Sequence, residues 1–196
     1  MPSTENSDYT DRLESLSGAR WKRLIDTQRP YRWNLRQLHL GRVLDVGCGI
    51  GRNLGGLPGA VGVDHNPSSI EAARAAGHTA WTTEEWGACP DAVPESFDTM
   101  LLAHVLEHLD GDEADAVLRS YLSYLKPRAA LVLICPQERG SGTDETHVRF
   151  VGPYRMAKHA VEVGFVPARM YSFPLPRAAG KLFTYNEFVV VALRSG

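Results

Sequence analysis

Val43-Leu44-Asp45-Val46-Gly47-Cys48-Gly49-Ile50-Gly51 decides the fold. Val43, Leu44 and Val46 read as a buried strand that runs into Gly-x-Gly-x-Gly, and Arg52-Asn53-Leu54 opens a short helical turn. Glycine tolerates positive φ and carries no Cβ, so this turn lets a ligand approach the backbone closely. The nicotinamide fingerprint needs its third glycine at position 52, where Arg52 stands. Asp45, just before the turn, would repel a pyrophosphate and suits a cationic ligand instead.

Further along, Val61-Gly62-Val63-Asp64-His65-Asn66 reads as a second strand ending in an acid, 17 residues beyond Gly47. A carboxylate there can accept both hydroxyls of an adenosine ribose. Thr79–Thr83 reads as a third strand and Phe97–His104 as a fourth. Leu125-Lys126-Pro127 and then Ala130–Ile134 read as a helix end and a fifth strand. Strands alternating with helices over one chain argue for a parallel sheet with right-handed crossovers. These segments, in this order, resemble the class I S-adenosylmethionine (SAM) methyltransferases. The departure is Arg128-Ala129, where that family usually has a glycine pair.

The resemblance implies an α/β fold: a Rossmann-like seven-stranded mixed sheet, its last strand antiparallel, with helices on both faces. It implies SAM as cofactor, in contact with Asp45, Gly47, Cys48, Gly49, Asn53, Asp64, His65 and Ala103, and with Thr83-Glu84 near the adenine. The usual adenine-contacting aspartate is replaced by that Thr-Glu pair, which leaves the contact residue open.

The chemistry is expected at His104-Val105-Leu106-Glu107-His108. On a helical turn His104, Glu107 and His108 fall within one sector of about 100°, with Val105, Leu106 and Leu109 on the other side. The letters H-x-x-E-H match a zinc-protease pattern, but that pattern belongs in a long helix and this one directly follows a strand. It is more similar to the E-x-x-E-H turn of metal-dependent O-methyltransferases, such as the small-RNA 2′-O-methyltransferases and the ubiquinone-biosynthesis enzymes. That likeness implies a divalent metal, Mg²⁺ as first choice, on His104, Glu107, His108 and a later histidine, His147. His104 in place of a glutamate makes the set softer than magnesium prefers. A metal-free site using His104, Glu107, His108 and His147 in acid–base catalysis is the alternative, and a structural role the third. A hydroxyl is a poor nucleophile without such help, so the cluster favours an oxygen acceptor. The aromatics Trp21, Tyr31, Trp33 and Tyr185 suit the faces of a saccharide or related polyol. The chain also resembles small actinobacterial sugar O-methyltransferases, those of methylmannose polysaccharide among them.

Bulk properties agree. The chain has 196 residues and reads as residues 1–40, an N-terminal helical cap or lid, and 41–196, the methyltransferase domain. A net charge of -2, from 21 basic and 23 acidic side chains, speaks against nucleic acid or an anionic membrane as partner. The acceptor is therefore expected to be a small molecule or oligosaccharide; RNA, phenols and lipids remain alternatives, and a homodimer is left open. No apolar run approaches the roughly 18 residues of a membrane span. Cys48, Cys89 and Cys135 form no motif, as in a reduced cytoplasmic protein.

Helical patterns are expected over 11–40 with Pro30 as an interruption, and over Ser69–Ala76 and Tyr154–Val163. A further helix is expected over Asp112–Leu125, burying Ala116, Leu118, Tyr121, Leu122 and Leu125. Gln137–Thr146 reads as a lid-like loop in which Asp144 and Glu145 are charges, and Val166–Phe173 and Asn186–Leu193 as the last strands. His39, His78 and His159 read as surface or capping residues.

Overall fold

A computed structural model describes residues 28–143 and 146–194. Most of the expected cap, with Trp21, and the lid charges Asp144 and Glu145 lie outside the described residues.

Seven strands form one sheet in the order β3-β2-β1-β4-β5-β7-β6: β1 Val43–Val46, β2 Val61–Asp64, β3 Ala80–Thr82, β4 Phe97–Ala103, β5 Leu125–Pro136, β6 Phe165–Phe173 and β7 Glu187–Arg194. The first five pair in parallel, while β7 runs antiparallel to both β5 and β6. The expected mixed sheet is therefore present. Every residue of β1 is buried, as a central parallel strand covered on both faces requires.

One face of the sheet packs Leu44, Val46, Met100, Leu102 and Leu133 against α4 (Gly111–Ser120) and α6 (Pro153–Glu162), through Ala114, Leu118, Met156 and Ala160. The other face packs Val43, Leu101, Val132 and Val189 against Leu35 of α1 (Arg29–Gln37). Between these lie α2 (Pro67–Ala75), a single turn α3 (Thr83–Trp86) and a short α5 (Glu138–Ser141). Among the described residues no helix is long and apolar enough to cross a membrane. The three cysteines are all unpaired.

Several local expectations are corrected. Pro30 occupies the first turn of α1, where its missing N–H costs nothing, and the part of the expected helical pattern before residue 28 lies outside the described residues. The helix expected to reach Leu125 stops at Ser120, and Leu125 begins β5. Its buried stripe is Ala114, Leu118 and Tyr121, with Val117 partly covered, and Ala116 is exposed. The Asp110 side chain accepts from Glu113 N–H and the Glu113 side chain accepts from Asp110 N–H, a capping box that starts the helix one residue earlier than expected. The expected loop after Pro136 contains α5.

Substituting Leu118→Ala is expected to cost about 2–5 kcal/mol in urea unfolding. Ala116→Ser, on the exposed side, should stay within about 0.5 kcal/mol of wild type. Equal effects would contradict this helix phase.

Candidate active site

Parallel strands β1, β2 and β4 deliver their C-terminal ends to one edge of the sheet, the place where open α/β folds bind ligands. The glycine turn is held there by the neighbouring strand. Gly47 N–H and Cys48 N–H both donate to Val63 O, at 2.7 and 3.1 Å. Asp64 then ties the turn to the next helix: Oδ2 accepts Gly49 N–H at 2.8 Å and Oδ1 accepts Asn66 N–H at 2.9 Å. Each carboxylate oxygen keeps a second lone pair for a hydroxyl donor. Gly49 has φ +52, and a Cβ there would meet no protein atom within 4 Å. It fronts both clefts at this edge, so its bareness serves a ligand.

The larger cleft, about 720 Å³, is lined by Gly47, Gly49, Asp64, His65 and Thr83, with Trp86, Val105 and Tyr121 as apolar wall. The smaller, about 280 Å³, has Tyr31, Asn53, Ala103, Tyr185 and Glu187 on its walls. His104 borders both. Asp45 is fully buried behind the turn and lines neither cleft, and neither of its oxygens has a hydrogen bond of good geometry. Burial pushes its pKa up to about 7, against the pull of the Asn53 side chain and with added repulsion from Asp64. An uncompensated carboxylate at this depth fits a cationic ligand group such as the ammonium of SAM. Thus Asp45, Gly47, Gly49, Asn53, Asp64, His65, Thr83 and Ala103 all gather at one edge. Cys48 also borders the smaller cleft, while its Sγ turns inward against Gly62 into the core. Glu84 is exposed and lines neither cleft.

The turn after β4 departs from the helix expected there. His104 takes φ +61, an uncommon backbone for a side chain with a Cβ, and a 3₁₀ turn follows over Leu106–His108. Leu106 is buried as expected, but Glu107 is buried too, at 1 % exposure, so the three polar side chains do not share one exposed face. Neither Glu107 oxygen has a hydrogen bond of good geometry. Burial works to raise its pKa, yet the His104 imidazole 3.3 Å away outweighs this and holds the carboxyl below its ordinary value.

Glu107, His108 and His147 converge, with one donor atom from each within 4.8 Å of the others. His147 Nδ1–H donates to Ser141 O at 2.8 Å, which leaves the lone pair on Nε2, 4.0 Å from Glu107 Oε1. His108 Nδ1 faces Thr146 O at 3.3 Å. Metal-ligating histidines are oriented in this way, by a carbonyl on the other ring nitrogen. A buried carboxylate without a hydrogen bond of good geometry, beside two oriented imidazoles, fits a divalent cation.

His104, expected in that set, is held beside it. Its Nε2 meets Glu187 Oε1 at 2.8 Å. Burial works against its charge, but Glu107 and Glu187 outweigh it and raise the pKa to about 10. His104 therefore carries its proton at neutral pH. Sequence reasoning missed Glu187. Its signal was topological: β7 is antiparallel, so its first residue pairs with Pro136 and arrives at the same edge as the ends of the parallel strands. Also missed were Trp86, Val105 and Tyr121, whose apolar pattern looks like ordinary core. His159, expected at the surface, is 6 % exposed, with Nδ1 2.6 Å from Asp115 Oδ1.

Residues 44–131 match a family model described as a methyltransferase domain. No curated protein matches the chain by sequence. Among solved structures it is similar to a SAM-dependent methyltransferase from Archaeoglobus fulgidus, with 19 % identity, TM-score 0.66, and 86 % of this chain and 95 % of that one covered. It is also similar to magnesium protoporphyrin IX methyltransferase from Synechocystis with bound S-adenosylhomocysteine, with 19 % identity, TM-score 0.65, and 98 % and 97 % covered. A third is a possible histamine N-methyltransferase from Thermotoga maritima, with 16 % identity, TM-score 0.69, and 95 % and 98 % covered. At these identities the structural likeness establishes the fold. The domain match, over residues 44–131, falls on the part of the chain that carries β1 to β4 and most of the wall of the larger cleft.

For Asp45 the sign of the pH effect follows from its direction. A carboxyl whose folded pKa is raised destabilises the fold increasingly as pH climbs from about 4 through about 7. Ligand-free Asp45→Asn is therefore expected to melt higher than wild type at pH 8 and about equally at pH 4, while binding SAM more weakly at pH 8. A melting difference independent of pH, or unchanged SAM affinity, would count against Asp45 as counter-charge to the ligand.

Proposed function

We propose that this enzyme transfers a methyl group from SAM to a hydroxyl of a saccharide or related polyol, assisted by a divalent cation held by Glu107, His108 and His147. The observation that carries the reading is the buried Glu107 carboxylate, without a hydrogen bond of good geometry, facing two imidazoles, of which His108 lines the larger cleft. Bound SAM supplies an electrophilic methyl on a sulfonium. Asp64 would take the ribose hydroxyls, Asp45 would balance the ammonium, and Val105, Trp86 and Tyr121 would cover the adenine.

The acceptor is assigned to the smaller cleft, whose Tyr31 and Tyr185 offer aromatic faces and whose 280 Å³ suits a small ring better than a nucleic-acid strand. A cation on Glu107, His108 and His147, beside the His104 that borders the smaller cleft, would stabilise negative charge developing on the acceptor oxygen, an effect on the order of several kcal/mol. One carboxylate with two imidazoles suits Mn²⁺, Co²⁺ or Zn²⁺ better than Mg²⁺. His104, protonated, cannot act as base; its Nε2–H keeps Glu187 oriented, and its Nδ1–H faces Glu107. Glu187 is the group placed to receive the hydroxyl proton as the new O–CH₃ bond forms and sulfur takes the electron pair of the breaking bond. The solved relatives' names point to varied acceptors, so the saccharide rests on the shape and lining of this cleft.

The test is methyl transfer from radiolabelled SAM to a panel of mono- and oligosaccharides. EDTA should abolish turnover, Mn²⁺ or Co²⁺ should restore it, and His147→Ala should lower it at least 100-fold. Turnover that resists EDTA would remove the cation from the reaction. Silence across the panel, with SAM still bound, would remove the saccharide.

For Glu187→Gln, kcat should fall by about 10²-fold or more with SAM affinity unchanged. An unaltered kcat would exclude Glu187 as the base.

A further inference from the structure

The cation donors come from two segments far apart in sequence. Glu107 and His108 belong to the turn after β4, whereas His147 lies in the stretch leading to α6. Main-chain contact between them is slight: Val148 N–H donates to Glu107 O at 2.9 Å, and Arg149 N–H reaches the same oxygen at 3.4 Å.

The Arg149 side chain braces the turn more broadly. Its Nε donates to Leu109 O at 2.6 Å and its Nη2 to Leu106 O at 3.4 Å, one carbonyl on each side of the Glu107-His108 pair. Nη2 also lies 3.2 Å from His159 Nε2. A guanidinium can only donate, so His159 Nε2 must accept, and its proton sits on Nδ1, donated to Asp115 Oδ1 at 2.6 Å. The row Asp115–His159–Arg149 thus runs from α4 through α6 to the ligand turn, anchored by an imidazole that is 6 % exposed. No catalytic step described above uses any of its members.

We propose that Arg149, aimed by His159 and Asp115, is a positioning residue of the cation site. It sets the separation of His147 from Glu107 and His108, and through it the affinity for the ion. The inference rests on the cation reading of that cluster. Partners that orient a ligand set typically contribute 10- to 100-fold to metal affinity. Lysine keeps the charge of Arg149 but is a single point donor, unable to span two carbonyls and an imidazole together.

The test titrates Mn²⁺ into the full-length protein, with free ion followed by electron paramagnetic resonance and S-adenosylhomocysteine affinity measured alongside. Arg149→Lys and His159→Phe should each weaken Mn²⁺ binding about tenfold or more while S-adenosylhomocysteine affinity stays within about twofold. The double variant should be no weaker than Arg149→Lys alone, because both act through one chain of contacts. His159→Gln, which can still donate to Asp115 and accept from Arg149, should recover part of the loss. Mn²⁺ affinities within twofold of wild type in both single variants would overturn the positioning role, whatever their melting temperatures. So would a parallel loss of S-adenosylhomocysteine binding, which marks general loosening. A wild-type protein that binds no Mn²⁺, matched by His147→Ala, would instead sink the cation reading, and the positioning role with it.

Discussion

The Asp64 carboxylate is the joint on which the active edge depends. One of its oxygens holds Gly49 N–H and the other Asn66 N–H, while Val63 O takes the two amides that open the turn. The backbone between β1 and the short helical turn at Leu54–Gly56 is thereby laid across the end of β2. A glycine loop has no side chains to pack, so without these bonds its many accessible conformations would defeat any fixed approach to a ligand. With them, the floor of both clefts is set before a ligand arrives.

Around that floor the chain buries two carboxylates. Asp45 is fully buried with neither oxygen in a hydrogen bond of good geometry, while Glu107, 1 % exposed, has the His104 imidazole 3.3 Å away as its counter-charge. An apolar isostere would give a more stable fold at position 45, since burying an unpaired carboxylate is costly. Charge of this kind, at the end of a central strand, is what a binding site for a cationic group requires. The unusual φ of His104 belongs to the same economy: it turns the ring toward Glu187 and the chain toward the buried Glu107.

Legibility varied with range. The glycine turn, Asp64 and the order of strands were readable because each depends on neighbours along the chain: strand period, turn chemistry and the offset to the next acid. The apolar side of α4 was read correctly at Leu118 and Tyr121 and missed at Ala116, which is exposed while Ala114 is buried, because alanine's small side chain carries little hydrophobic signal. Glu107 was expected on an exposed face because a full α-helix was assumed; a 3₁₀ turn after a left-handed residue sent it inward. His159 looked like a surface residue because its two partners stand 44 and 10 positions away.

By itself, then, the sequence determined the α/β class, the glycine turn and the acid that ends β2, since local pattern specifies strands and turns. Tertiary structure alone decided which polar side chains meet. It joined His147 to Glu107 and His108, set His104 against Glu187, and ran Asp115 and His159 to Arg149. These contacts depend on the antiparallel return of β7 and on the packing of α4 and α6, which no short-range periodicity encodes.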